Sequence, residues 1–156
     1  MKIMRPFVQL SLLVAAATCL VACSSVNANL QASNDINPDI NGTPSPIAVN
    51  VYELSTPEQF SKANFVSLFS EPQSSLGSSL LLVNSFMVAP GTTKDVSMTL
   101  KKGVHYVGVV AAYRNINDVD WKQVIAVKDK RVNRFLGIGV DVSIQNSGIT
   151  LSHTHF

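Results

Sequence analysis

The sequence predicts an all-β fold: an antiparallel β-sandwich of about eight strands with a small helical insertion. Three observations predict it. Short apolar segments with period-two alternation recur along the chain. Clusters of Pro, Gly, Asn and Asp separate them at short spacing. A helix-start signal occurs in one segment only, near residue 56. Many short strands with turn signals between them fold as a sandwich.

The N-terminus stands apart from that pattern. Lys2 and Arg5 precede an apolar run, Phe7 to Ala17, broken only by Gln9 and Ser11. Small residues then lead to Leu20-Val21-Ala22-Cys23. This is the layout of a secretory signal, and its last four residues resemble the lipobox of bacterial lipoproteins. Residues 1–22 are therefore expected to be cleaved, and the Cys23 thiolate to accept a diacylglycerol. A membrane-spanning helix wants about 20 mostly apolar residues. The run 7–23 is shorter and contains Gln9, Ser11 and Thr18. Acyl chains on one cysteine are enough for stable anchoring. Ser24 follows, where similar lipoproteins retained in the inner membrane carry Asp, so the outer membrane, on its periplasmic face, is the expected location.

Cleavage changes the composition. Cys19 leaves with the signal and Cys23 is modified, so no thiol remains for a disulfide or a metal site. Loss of Lys2 and Arg5 leaves ten basic and ten acidic residues. That balance argues against a nucleic-acid partner. The remaining 134 of 156 residues suit a single domain.

Residues 23–28 read as the lipidated N-terminus and a short flexible tether, and 29–156 as the domain. Asn29 to Ser33 is a short strand. Asn34 to Pro46 then holds three prolines, one glycine and five Asn or Asp residues in thirteen positions. No regular structure survives that composition, and so long a connection is often functional. Ile47 to Leu54 alternates as a half-buried strand. At Thr56-Pro57-Glu58-Gln59 the spacing predicts a helix, capped by Thr56, with Pro57 at its first position and Gln59 completing a capping box. The helical insertion covers about 56–71, with Phe65, Leu68 and Phe69 on one face, and Pro72 ends it.

Strands follow at Leu80 to Val88, ending before Pro90-Gly91, and around Val96, Met98 and Leu100, ending at Lys101-Lys102-Gly103. Val104 to Tyr113 is apolar on nearly both faces, the mark of a central strand. Trp121 to Val127, Leu136 to Ile144 and Ile149 to about His153 complete the set, the last two joined by Asn146-Ser147-Gly148. Trp121 and Tyr113 flank a turn as either core caps or an exposed patch.

No catalytic motif is present: there is no G-x-S-x-G, H-E-x-x-H or P-loop. His153 and His155 would share a face of a strand, but two ligands without a third make a poor metal site. His105 reads as a partly buried, hydrogen-bonded strand residue. Lys128, Lys130, Arg131 and Arg134 around Asp129 read as a solvated loop between two strands or, alternatively, as a contact for anionic lipid or an acidic partner. No catalytic or metal-binding residue is assigned.

The ordered motifs resemble the TssJ family, the outer-membrane lipoproteins of the type VI secretion system. Asn37-Pro38-Asp39 and Gly42 to Pro46 resemble its "NP" and "G-x-P-x-P" loop. Val51-Tyr52-Glu53-Leu54 resembles a strand closing in "V-Y-x-L". Phe60 and Ala63-Asn64-Phe65 resemble "F…A-D-F", with Asn64 replacing the acid. Leu76-Gly77 and Ala89-Pro90-Gly91 match later turns, and Val107 to Arg114 followed by Trp121 match the "VGVVAxFR…W" core. The resemblance runs from about residue 30 to 127, together with the lipobox.

It implies a transthyretin-like sandwich without enzymatic activity, and no cofactor beyond the lipid on Cys23. It implies a role in anchoring the type VI membrane complex by binding the periplasmic domain of the inner-membrane protein TssM. The partner-binding loop would comprise Asn34, Asp35, Ile36, Asn37, Pro38, Asp39, Ile40, Asn41, Gly42, Thr43, Pro44 and Ser45, with Ile36 and Ile40 as apolar contacts and proline lowering the ordering cost. Two other functions compete: a lipid-anchored carrier of a small ligand, which needs a concave apolar pocket, and a metal-dependent periplasmic hydrolase using His153 and His155.

Overall fold

The computed structural model describes residues 25–127 and 138–154. The signal peptide, Cys23, the basic cluster of residues 128–134, Leu136 and His155 lie outside them. The described residues form eight strands: β1 (Ser25–Ala32), β2 (Ile47–Leu54), β3 (Leu80–Val88), β4 (Thr93–Thr99), β5 (Tyr106–Ala111), β6 (Lys122–Ala126), β7 (Ile138–Gln145) and β8 (Gly148–His153). Three short helices lie between β2 and β3: α1 (Glu58–Lys62), α2 (Phe65–Ser70) and α3 (Pro72–Leu76).

The strands make two four-stranded sheets, ordered β4-β1-β7-β8 and β3-β2-β5-β6. The expected antiparallel sandwich is therefore present with one exception. β1 and β7 run parallel, Ala28 opposite Val140 and Leu30 opposite Val142. The first strand also begins earlier than its composition indicated. Ser25 already pairs with Thr99, so residues 25–28 are strand rather than tether. Their small polar side chains hide an alternation in which Ala28 and Leu30 are buried between exposed Asn27 and Gln31.

Period-two alternation builds the main core. Leu30, Met98, Val140, Val142 and Ile144 of one sheet form one buried cluster with Val49, Val51, Val88, Val107 and Val109 of the other. A second cluster lies on the outer face of β2 and β5, where Tyr52, Leu54 and Val110 meet Phe60, Leu68 and Leu76 of the helices. Burial on both faces explains why β5 reads as continuously apolar. Gly108 makes room for this layer: a Cβ there would come within 2.8 Å of the Phe60 ring.

The helical insertion starts and stops differently from the expectation. Pro57 is the N-cap of α1, and no side chain caps it, so the Thr56–Gln59 capping box does not form. Pro72 does not end the insertion; it opens α3 at the first helical turn, where its missing N–H costs nothing. Asn64 caps α2 by accepting from Ser67 N at 2.9 Å. Aspartate caps equally well, which accounts physically for Asn64 in place of the acid. Phe65 and Phe69 stack at 5.2 Å, and Phe65 meets Trp121 edge-on at 5.5 Å.

Candidate functional site

Four connections meet at one end of the sandwich: residues 33–46, 89–92, 112–121 and 146–147. Together they form a crown cross-tied by backbone. Gly91 N donates to Ser33 O at 3.0 Å. Gly91 has φ +69°, and a Cβ there would overlap Asn34 Oδ1. Asp120 N donates to Ser147 O at 3.2 Å and Ile149 N to Asp120 O at 2.8 Å, joining the β5–β6 connection to the β7–β8 hairpin. Tyr113, buried among them, donates its hydroxyl to Gln145 O at 2.7 Å. Burial pushes its phenol well above the ordinary range. Tyr113 is thus a core cap, and Trp121 is a half-buried support for α2.

The long loop divides into a buried root and an exposed tip. Ile36 is fully buried in the main core, so it offers no surface to a partner, contrary to the expectation for it. Asn37 is 5 % exposed, with φ at 48°. Asn is among the few non-glycine residues that tolerate this region. Its Nδ2 donates to Pro46 O at 3.1 Å, and its Oδ1 accepts from Arg114 N at 2.8 Å. The tip is Asp39 to Thr43. Asp39 Oδ1 accepts from Asn41 N and Thr43 N, each at 2.8 Å. Asp39 N donates to Thr43 O, and Gly42 N to Asp39 O, both at 2.9 Å. These bonds, that from Thr43 first, hold the Asp39 carboxyl below its ordinary value, with the Arg114 charge contributing less. Ile40 stands on this turn 101 % exposed. Asn34, Asp35, Gly42, Thr43 and Pro44 are also exposed, while Pro38 and Ser45 are half-buried.

The crown encloses a concavity of about 270 Å³ bordered by Asn37, Pro38, Arg114, Asp118 and Asn146. A second of about 460 Å³ lies between Ser33, Asp35 and the 145–147 turn. A third, also about 460 Å³, lies on the outer face of the β4-β1-β7-β8 sheet, lined by Asn27, Asn29, Asp95, Ser97 and Asp141. Each is bordered by polar and apolar surface alike. Among the described residues, no three His, Cys, Asp or Glu side chains are grouped to hold a metal. His153 closes β8, its expected partner His155 lies outside the described residues, and His105 is exposed just before β5 rather than within it.

The described residues define a two-layer β-sandwich of two four-stranded sheets that presents a braced crown of loops at one end. The family model described as "Type VI secretion lipoprotein, VasD, EvfM, TssJ, VC_A0113" matches residues 24–147. The chain belongs to this TssJ family of type VI secretion lipoproteins. Among solved structures it is similar to the T6SS lipoprotein TssJ1 from Pseudomonas aeruginosa, with 27% identity and a TM-score of 0.78, covering 86% of this chain and 98% of that one. It is similar also to Serratia marcescens Lip, a membrane bound component of the Type VI Secretion System, with 25% identity and a TM-score of 0.77 over 83% of this chain and 97% of that one. A chain in a structure described as "T6SS protein TssM C-terminal domain (869-1107) from EAEC" shares the fold at 20% identity and a TM-score of 0.63, over 85% of this chain and 99% of that one. No match is found among the curated proteins. The fold is the transthyretin-like sandwich of TssJ.

Proposed function

We propose that this lipoprotein is held in the outer membrane by acyl chains on Cys23 and that its crown binds the periplasmic domain of TssM, anchoring the type VI membrane complex. One observation carries the reading. The chain enters β1 at Ser25, two residues after Cys23, at the end of the sandwich opposite the crown. An eight-residue strand rises about 26 Å, so a lipid at one end leaves the crown facing away from the bilayer, toward a partner rooted in the other membrane. Membership of the TssJ family and the presence of this fold in a structure described by its TssM domain support the partner assignment. The role requires no catalysis and no small-molecule substrate.

Within the crown, Ile40 is the contact residue of choice. It is a large apolar side chain in water, and the Asp39–Thr43 bonds order it before any partner arrives, which reduces the entropic cost of binding. The test is titration of the soluble domain, residues 24–156, with a periplasmic TssM fragment. A complex at micromolar concentration or tighter is expected; its absence would overturn the reading. In cells, Cys23→Ser should leave the fold and the TssM contact intact and abolish secretion.

A further inference from the structure

We propose that the end of the sandwich opposite the crown is a membrane-contacting face, in which the Lys101–Lys102 turn seats on anionic phospholipid headgroups. The proposal rests on acylation of Cys23.

Geometry places this turn at the anchor. Ser24 alone separates Cys23 from β1. Ser25, the first residue of β1, pairs with Thr99, the last residue of β4. Two residues of chain reach about 7 Å at most, so the lipidated residue lies close to the end of β4. Lys101 and Lys102 follow Thr99 by two and three positions, and both are exposed. Headgroup phosphates therefore come within reach of both ammonium groups once the acyl chains insert.

The turn is built to present them. Lys101 N donates to Glu53 Oε2 at 3.0 Å, and Glu53 is fully buried. Val104 N donates back to Lys101 O at 3.3 Å, and Gly103, with φ +92°, closes the turn. Lys101 Nζ reaches Leu81 O at 3.0 Å, which uses one of its three protons and leaves two for a phosphate. The Glu53 side chain is thus turned inward onto the Lys101 backbone rather than outward into an ion pair with the ammonium groups. Seated this way, the sandwich stands on the bilayer with β1 directed away from it, and the crown is held at strand length from the lipid instead of swinging about its anchor.

The test uses the full lipidated chain, with acylation checked by mass spectrometry, in vesicles of phosphatidylcholine with or without phosphatidylglycerol. The mature chain has no other thiol, so Thr99→Cys and Ile40→Cys each take a single fluorophore. A headgroup-attached quencher reports proximity. The label at 99 should be quenched more strongly when phosphatidylglycerol is present, and the label at 40 not at all. Adding Lys101→Gln and Lys102→Gln to the Thr99→Cys protein should shift the seating equilibrium roughly 25-fold, about fivefold per lysine, and high salt should erase that difference. Quenching at 99 that ignores the anionic lipid or the lysine changes would overturn the proposal, as would equal quenching at 40. A mass without acyl chains would remove the anchor reading and this one together. Unchanged melting of the Gln variant confirms that it reports on seating rather than folding.

Discussion

Asn37 Oδ1 accepts a hydrogen bond from the backbone N–H of Arg114 at 2.8 Å, across 77 positions of sequence. The same amide donates to Pro46 O at 3.1 Å. One buried side chain thus fixes both the return of the long loop and its docking onto the β5–β6 connection.

Replacing Asn37 with Ala removes both bonds, leaves Arg114 N and Pro46 O without these partners, and keeps a positive φ that Ala tolerates poorly. A loss of about 2–3 kcal/mol is expected. Urea denaturation measures it. A loss under about 0.5 kcal/mol would mean that the loop is held by other contacts.

Ile40 should behave in the opposite way. Its side chain is fully exposed, so Ile40→Ala should change stability by no more than about 0.5 kcal/mol. If it is buried by TssM, the same change should weaken the complex by about 2 kcal/mol, roughly 30-fold. Calorimetric titration against the TssM fragment decides this. Full affinity in the Ala variant would move the contact elsewhere on the crown.

These two residues show what the sequence could and could not convey. Asp35-Ile36-Asn37 and Asp39-Ile40-Asn41 are identical tripeptides, yet Ile36 is buried in the core and Ile40 stands in water. Local composition marks both as loop. Only long-range ties, Ser33 to Gly91 and Asn37 to Arg114, determine which isoleucine turns inward. The strands were legible because alternation is a local signal with a direct packing consequence, as in Val96 and Met98 or Val140, Val142 and Ile144. The start of β1 is hidden because Ser25 and Asn27 resemble linker residues; on the outward face Asn27 and Asn29 carry the polar ladder of Asn29 to Asp95 and Ser97 to Asn27. Parallel pairing of β1 with β7 leaves no local mark at all.

The helical layer has its own point of strain tolerance at Gly108. With a Cβ only 2.8 Å from Phe60, Gly108→Val must push α1 outward or force the ring from its rotamer. The Phe60–Tyr52 edge contact at 5.3 Å and the Tyr52 hydroxyl bond to Leu68 O at 2.8 Å lie directly behind it. Overpacking of this kind costs about 1–3 kcal/mol. Thermal melting of the Val variant should fall, and Phe60→Leu in the same chain should recover part of the loss. A Val variant as stable as the parent would show that the layer yields freely.

Lys122 pins that layer from the sheet side. Its Nζ donates to Phe60 O at 3.2 Å, Ser61 O at 2.7 Å and Ala63 O at 2.7 Å, around the end of α1. Desolvation lowers its pKa, but three carbonyls at a helix C-terminus favour a cation. Lys122→Met should cost about 1–2 kcal/mol, and amide exchange should accelerate in residues 58–63 while β7 stays protected. Uniform acceleration through both sheets would show that the lysine supports the whole sandwich rather than the insertion.

Asp39 makes the loop tip sensitive to acid, and the sign follows from its bonding. Its carboxyl sits below the ordinary value of 3.8, chiefly because the ionised form accepts from Thr43 N and Asn41 N. A group with a lowered folded pKa contributes order that is fully present above its unfolded pKa and is lost as pH falls through the folded value. The tip should therefore stay ordered at neutral pH and loosen below about pH 4, with the presentation of Ile40 loosening alongside it. Asp39→Asn isolates the effect, since the amide oxygen still accepts but no longer titrates. Wild type should bind the TssM fragment more tightly than Asp39→Asn at pH 7, because charge-assisted bonds are stronger. The two affinities should converge as the pH falls through the lowered folded pKa of Asp39. Other carboxylates titrate in the same range and move both proteins together, so the ratio of affinities rather than either value carries the result. A ratio independent of pH would show that the Asp39 charge does not order the tip.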